Sequence, residues 1–408
     1  MRILLVNKHY YLRSGTERYL FNLARLLARD GHTVEAFAMQ DPRNEPATYA
    51  DLFVPPLDFQ AMPLAARPGA VVRVLWSRDA ARRMAQVLDA FRPDVVHALN
   101  LYHHLSPSVL PPATERGIPI VQTLNDYKLI CPNYLLYTEG APCTRCRDRR
   151  YSQAVRHRCL HGSLAWSALA AVEMTLHKRF QVYERQVARF IAPTRFVRET
   201  MEAFGIPPAQ LVELPYFLFP EDYPEAPTGD DGYCAYVGRL VEGKGLPTLL
   251  RAMRKAPRAQ LLVVGEGPAR PELERLAASL GLANVRFTGF LAGPALGAAL
   301  QGARFTVLPS EWYEVFGQSV VESLAVGRPV IGARIGGIPE ALQEGEDGLL
   351  VPPGDADALA DSVRRLWDDP ALAQAMGRRG RARVTRELGP DGHAVRLYAL
   401  YRGLISGP

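Results

Sequence analysis

Two glutamates eight positions apart, Glu314 and Glu322, flank a glycine turn in the run EWYEVFGQSVVESLAVGRPVIGARIGGIPE, which fills residues 311–340. Phe316, Gly317, Gln318 and Ser319 lie between them as a loop-to-helix turn. A buried-type strand around Val330 and Ile331 follows, and then a second turn at Gly336 and Gly337. Glu314 falls in the loop after a strand. A helix starting near Phe316 carries Glu322 about two turns in. The first N–H groups of such a helix have no partner within it and can hold a phosphate. Two carboxylates beside them can accept hydrogen bonds from sugar hydroxyls. In outline this is a site for a nucleotide-sugar.

A second constellation lies upstream, in the loop 237–245. Arg239 and Lys244 sit there among Gly238, Gly243 and Gly245, directly after a strand-like run. Two cations can neutralise a diphosphate, and the glycines let the backbone approach it. The next strand ends in Gly265, Glu266, Gly267 and Pro268. No P-loop spacing is present, which argues against an ATPase.

These runs, with Gly348–Asp355 downstream, resemble the E-x7-E and G-R-x-x-x-x-K-G segments of family 4 glycosyltransferases, retaining enzymes of the GT-B fold. The resemblance implies a donor site in which Arg239 and Lys244 hold the diphosphate. Glu314 would hold hydroxyls of the donor sugar and Glu322 the ribose, with Glu266 beside the base. Phe316, Gly317, Gln318 and Ser319 would line the same site. It also implies that the donor site works without a divalent metal, the cations and the helix start stabilising the leaving group instead.

The elements that must position these groups read as alternating strands and helices. In the first half strand-like runs cover 2–7, 33–39, 94–99, 118–124 and 190–192, with helical stretches at 16–29, 80–91 and 165–189. In the second half strands cover 233–237, 260–264, 285–288, 305–308, 329–331 and 349–351. This alternation predicts two Rossmann-like parallel-sheet domains, which the GT-B resemblance has facing each other across a cleft. The proline-rich stretch 215–232 reads as the linker. The expected domains are 1–215, for the acceptor, and 216–390, for the donor. The helix 391–408 would return to the first domain.

On the acceptor side, Ser14 and Glu17 have capping-box spacing at a helix start. The family usually has two adjacent glycines here; Gly15 is kept and Ser14 replaces the first. The resemblance gives Gly15 a donor-binding role. His97 and Asp126 lie at the ends of strands, where an α/β site opens, and are candidate catalytic groups. Asn125 stands where related enzymes have a histidine; it can hydrogen-bond a sugar hydroxyl but cannot carry a proton.

An insertion at about 131–161 holds Cys131, Cys143, Cys146 and Cys159, with a C-x2-C core. Four thiolates in one short region suit a structural tetrahedral Zn²⁺, with His157 or His161 able to replace one; an Fe–S cluster or unligated thiols are the alternatives.

The chain has 408 residues, 48% hydrophobic and 22% charged, which fits a globular protein of two or three domains. The opening Met1–Asn7 reads as a buried strand rather than an export signal, and no apolar stretch has membrane-spanning length. A cytoplasmic protein is expected, with peripheral contact on the inner membrane face. Residues 1–220 hold 27 Lys and Arg against 19 Asp and Glu, and residues 221–408 hold 21 against 23. The excess is densest at 145–158, where six arginines face Asp148 alone. Such a surface attracts an anionic lipid or phosphorylated acceptor.

The resulting expectation is a retaining glycosyltransferase of polysaccharide biosynthesis. It would move a sugar from a nucleotide-diphosphate sugar to a glycan, lipid-linked or small-molecule acceptor, and nucleic acid is not an expected partner. The alternatives are a nucleotide-sugar epimerase sharing the fold and a non-catalytic anion-binding protein.

Overall fold

Short, mainly apolar strands are what a parallel sheet with helices on its faces requires, and the computed structural model contains two parallel sheets of six strands each. It describes residues 1–57 and 67–407. The chain groups into two units. One comprises Met1–Leu135, Thr144–Phe217 and Pro390–Pro408, the other Leu136–Cys143 and Leu218–Gly389.

The first unit contains β1 (Arg2–Val6), β2 (Thr33–Phe37), β3 (Val95–Ala98) and β4 (Ile120–Thr123). A two-residue antiparallel pair, β5 (Tyr137–Thr138) and β6 (Ala141–Pro142), comes next in the chain but groups with the second unit. β7 (Arg189–Ala192) and β8 (Leu211–Glu213) complete a parallel sheet of order β2-β1-β3-β4-β7-β8. The chain therefore leaves β1 toward β2 and returns on its other side at β3. Loops diverge at such a switch point and leave a crevice. In register, Val6 lies opposite Ala98, so the two strand ends finish level. Lys8 N donates to Asn100 O at 2.8 Å, and Asn100 N donates to Asn7 Oδ1 at 3.1 Å.

The second unit repeats the plan. β9 (Tyr233–Val237), β10 (Leu261–Val264), β11 (Val285–Gly289), β12 (Ala303–Leu308), β13 (Val330–Ala333) and β14 (Gly348–Val351) form a sheet of order β11-β10-β9-β12-β13-β14. Its switch point lies between β9 and β12, so the loops after these strands, 238–245 and 309–317, open side by side. Leu249, Leu250, Met253, Val263 and Phe305 centre its core.

The helix expected over 165–189 ends at Arg179. Gln181 adopts a left-handed conformation, φ 51° and ψ 42°, and a separate turn, Val182–Gln186, follows. The ion pair from Lys178 to Glu184, 2.5 Å, holds the break. β8 and the β5–β6 pair are elements that the strand reading lacks. The terminal helix, Pro390–Ile405, is part of the first unit. His393 Nε2 lies 3.2 Å from Tyr19 Oη, and Tyr398 donates to Asp30 at 2.8 Å.

Candidate active site

The loop after β9 and the loop after β12 meet through one carboxylate. Glu314 Oε1 accepts from Lys244 Nζ at 2.6 Å, Ser310 Oγ at 2.7 Å and Trp312 Nε1 at 2.8 Å. Burial pushes this carboxyl up, but the Lys244 charge and the three hydrogen bonds outweigh it and hold the group below the ordinary carboxylate range. Glu314 is thus an anion at neutral pH, with both cation and donors on the same oxygen. Lys244 also lies 4.9 Å from the centre of the Trp312 ring, which fixes the ammonium a second time.

Close backbone approach explains the glycines around this network. Gly245 has φ +71°, and a Cβ there would lie 1.7 Å from Pro309 O. Gly336 has φ +59°, and its Cβ would lie 2.5 Å from both Glu314 N and Glu314 O. Gly337 N then donates to Glu314 O at 2.7 Å. The second glycine turn of the 311–340 run therefore packs on the backbone of the first glutamate.

Gly317, at φ +86°, ends the loop and starts the helix Gln318–Ala325, which no side chain caps. Phe316 is buried behind it, and Gln318 and Ser319 are half-buried. Glu322 is buried on this helix and accepts from Tyr223 Oη at 3.4 Å. Arg239 is exposed and makes no ion pair among the described residues; Tyr236 Oη donates to its carbonyl at 3.0 Å. Glu266 is ion-paired with Arg270 on the next helix, while its carbonyl accepts from Leu240 N at 2.9 Å. Sequence reasoning missed Trp312, Ser310 and Tyr223. The signal for Trp312 was present: an indole two residues before a glutamate in a glycine-bounded loop.

One Asp-x-Asp run, Asp355-Ala356-Asp357, has a spacing that can hold a divalent ion. Asp355 instead caps the helix Ala356–Asp368, accepting from Asp357 N and Ala358 N, and Asp357 pairs with Lys255.

In the first unit the candidates separate. Asp126 is half-buried at the end of β4, accepting from Lys128 N at 2.8 Å. Burial raises its carboxyl to about 6, against the pull of Lys128, Tyr102 and Lys8. His97 is a correction. It is fully buried in β3, its Nδ1 on Tyr401 Oη and its Nε2 2.7 Å from Thr123 Oγ1. Burial lowers it to about 3. A neutral imidazole with both nitrogens engaged in a core is a packing residue, not a catalytic one. Asn125 is also committed internally, donating to Thr123 O at 3.0 Å and accepting from Tyr216 Oη at 2.6 Å. Gly15 begins the helix Gly15–Arg29. The capping box does not form: Ser14 Oγ donates to the Glu17 carboxylate at 2.6 Å rather than receiving a backbone N–H.

The loop after β1 holds groups the sequence reading did not single out, of which Lys8 is felt by Asp126. Arg13 Nη1 is 2.5 Å from His9 Nε2. A guanidinium only donates, so His9 carries its proton on Nδ1, a buried atom with no partner among the described residues. Burial and the Arg13 charge lower the Lys8 ammonium, which Glu17 and Asp126 raise in turn.

The cysteines do not yield a ligand set. Cys131 Sγ donates to Asn133 Oδ1 at 2.9 Å. Cys146 is buried with Tyr151, Ala154, Ala171 and Met174, against which Cys159 packs. Cys143 N closes the base of the β5–β6 pair on Leu136 O at 2.7 Å. Among the described residues, no group of three or more His, Cys, Asp or Glu side chains is arranged to hold a metal ion. The zinc expectation therefore gains no site from the geometry.

Comparison with known proteins accounts for both units. Residues 222–383 match the family model described as "Glycosyl transferases group 1". Residues 13–216 match the one described as "Glycosyltransferase Family 4". The chain is similar to an alpha-D-kanosaminyltransferase of Streptomyces kanamyceticus, 30% identical over 210 residues, covering 47% of this chain and 54% of that protein. The chain thus spans about half the length of that relative. Among solved structures it resembles a sucrose-phosphate synthase from Thermosynechococcus elongatus, with TM-score 0.73, 22% identity and 99% of each chain covered. It also resembles Anabaena HepE in complex with UDP-glucose, with TM-score 0.69, 18% identity, and 98% of this chain and 99% of that one covered. At such identities these likenesses speak for fold alone, that of the GT-B enzymes. With one family model spanning half of the chain and its companion most of the remainder, the chain belongs to the family 4 glycosyltransferases.

Proposed function

We propose that the chain transfers a sugar from a nucleotide-diphosphate sugar to a glycan or lipid-linked acceptor, with retention at the anomeric carbon and without a divalent metal in the donor site. The observation that carries this reading is the Lys244–Glu314 pair at the switch point of the second sheet, with exposed Arg239 on the same loop as Lys244. UDP and UDP-glucose are bound by HepE, a protein of the same fold, which supports a nucleotide-sugar here.

Arg239 and Lys244 neutralise the diphosphate, most strongly as the glycosidic C–O bond breaks and charge collects on the leaving oxygen. Glu314, ionised and held by three donors, accepts from hydroxyls of the donor sugar. Glu322 accepts from the ribose diol. The acceptor oxygen bonds to the anomeric carbon on the face the phosphate leaves, and its proton passes to the departing phosphate oxygen. The acceptor is held on the first unit, where the Asp126 carboxylate offers an acceptor of hydrogen bonds.

A panel of UDP-, GDP- and TDP-sugars screened by thermal shift identifies the donor. NMR of the product from an α-linked donor then reads the new anomeric configuration. An α product that persists in EDTA is expected. A β product overturns retention, and activity lost in EDTA but restored by Mg²⁺ or Mn²⁺ overturns the metal-free site. Conversion of donor without any acceptor identifies an epimerase instead.

A further inference from the structure

The helix Leu164–Arg179 turns a row of apolar side chains outward, although its inner side, with Ala170, Ala171 and Met174, also buries three ionisable groups. Glu173, His177 and Lys178 are all buried. Glu173 pairs with Lys128 at 2.7 Å, and Lys178 pairs with Glu184. Its apolar side points outward. Leu164 is 57% exposed, Val172 50% and Phe180, just past the helix end, 58%, with Leu176 also exposed. Small residues, Ala165 and Thr175, are exposed between them. His177 Nε2 lies 3.1 Å from Leu75 O. This contact ties in the end of the helix Arg67–Leu75, near which Val72 and Trp76 are also exposed. Scattered surface apolar residues need no explanation, but a line of them along one helix does.

The flank of this line is cationic. The short helix Ser152–Arg156 packs on Leu164–Arg179 through Ala154, Ala171 and Met174. Around it Arg145, Arg147, Arg149, Arg150, Arg156 and Arg158 are exposed, with Asp148 the one acid of that stretch. Arg179 is exposed at the helix end.

We propose that the helix Leu164–Arg179 and its arginine-rich flank form a face that lies on an anionic lipid surface. The chemistry matches at both depths. Apolar side chains along a helix of about 24 Å sink into the boundary of headgroups and acyl chains, and guanidinium groups meet the phosphates above it. The other polar side of an ordinary interfacial helix faces water; here the protein itself occupies that place. A helix face is convex, and a yielding surface accommodates it without a matching groove. A second copy fits less well, because an antiparallel two-fold contact would set the arginine flank against itself. No described helix is long and apolar enough to cross a membrane, so the contact is reversible. It deepens the proposed function by favouring an acceptor presented at a lipid surface, but it is read by an assay that does not involve the donor.

Sedimentation with vesicles of phosphatidylcholine alone, and of phosphatidylcholine mixed with phosphatidylglycerol, tests it at low and high salt. Wild-type protein is expected to sediment with the anionic vesicles at low salt. The double variant Val172→Glu, Leu176→Glu, at exposed sites where folding is spared, should partition at least about tenfold less, since two aliphatic side chains that would enter the lipid are replaced by carboxylates. Replacing Arg145, Arg147, Arg149 and Arg150 together by Gln should remove the salt dependence. Nucleoside-diphosphate binding should be unchanged in both, which separates this outcome from a failure of the donor reading. Wild-type protein that ignores anionic vesicles at low salt overturns the proposal. So does vesicle binding that the double variant keeps, or a wild-type dimer that the double variant makes monomeric.

Discussion

Glu314 gathers a lysine, a serine and an indole onto one oxygen, so each of these groups helps to fix where the carboxylate lies. Lys244→Ala removes both the cation expected at the diphosphate and a bond to Glu314. It should lower kcat/KM by about 10²-fold or more, as loss of one preorganised charge stabiliser does, with a smaller effect on thermal stability. Unchanged kcat/KM would sink the assignment. Glu322→Ala should weaken the matched nucleoside diphosphate by roughly 1.5–3 kcal/mol, the worth of a hydrogen bond to a charged group; calorimetric titration reads it. Asp126 adds a pH dependence. Burial places its carboxyl at about 6, so it is protonated below and ionised above that pH. If the acceptor needs the carboxylate, the acceptor-dependent rate falls as pH drops through 6, and Asp126→Asn should flatten that limb. A limb that survives in Asp126→Asn assigns it to another group. The residue types at these positions were legible because their chemistry is carried by type and spacing. His97 was not: a histidine at a strand end reads alike whether it faces a crevice or a core, and its buried partner, Tyr401, lies 304 residues away.

The elements bring these residues together through the switch points. Both sheets were legible, because a wholly buried parallel strand leaves a continuous apolar run. The β5–β6 pair was not, since strands of two residues have no period to read. It nevertheless packs in the second unit, Tyr137 edge-on to Trp312 with ring centres 6.4 Å apart. The break at Gln181 was hidden for a similar reason: nothing in Phe180 and Gln181 marks a left-handed residue as glycine would. The glycines of 237–245 were read as letting a diphosphate approach and Gly336 as part of a turn; the partner of Gly336 is the backbone of Glu314. Gly336→Ala must therefore shift that backbone, in addition to the cost of about 1–2 kcal/mol for a left-handed L-residue. It should weaken donor binding with the far-ultraviolet circular dichroism unchanged. Full donor affinity in Gly336→Ala would show that the Glu314 loop tolerates the shift and that its position is not set by this turn.

At the scale of the whole chain, its last helix completes its first unit. Pro390–Ile405 places Tyr401, fully buried, on His97, and sets His393 between Tyr19 and Phe217. The core of the first unit is thus closed by residues that follow the entire second unit in sequence, in keeping with the expected return of the helix 391–408 to the first domain. Tyr401→Phe keeps the ring and removes one buried hydrogen bond, leaving His97 Nδ1 without a partner; a loss of about 1–3 kcal/mol is expected. Tyr401→Ala opens a cavity and should cost about 3–5 kcal/mol. Because the change lies in the first unit, nucleoside-diphosphate affinity should be retained by whatever fraction stays folded. The same core sets the acid limb of stability. Burial lowers His97 and His393 from the ordinary 6.5 to about 3, so the unfolded chain binds more protons wherever pH lies between those values. Stability contributed by these neutral imidazoles is fully present above 6.5 and is lost progressively as pH falls toward 3. His97→Gln, which cannot take up a proton, should make that decline shallower even if it lowers stability at neutral pH. Urea midpoints measured at several pH values decide it, and a slope unchanged in His97→Gln would assign the acid sensitivity to other groups.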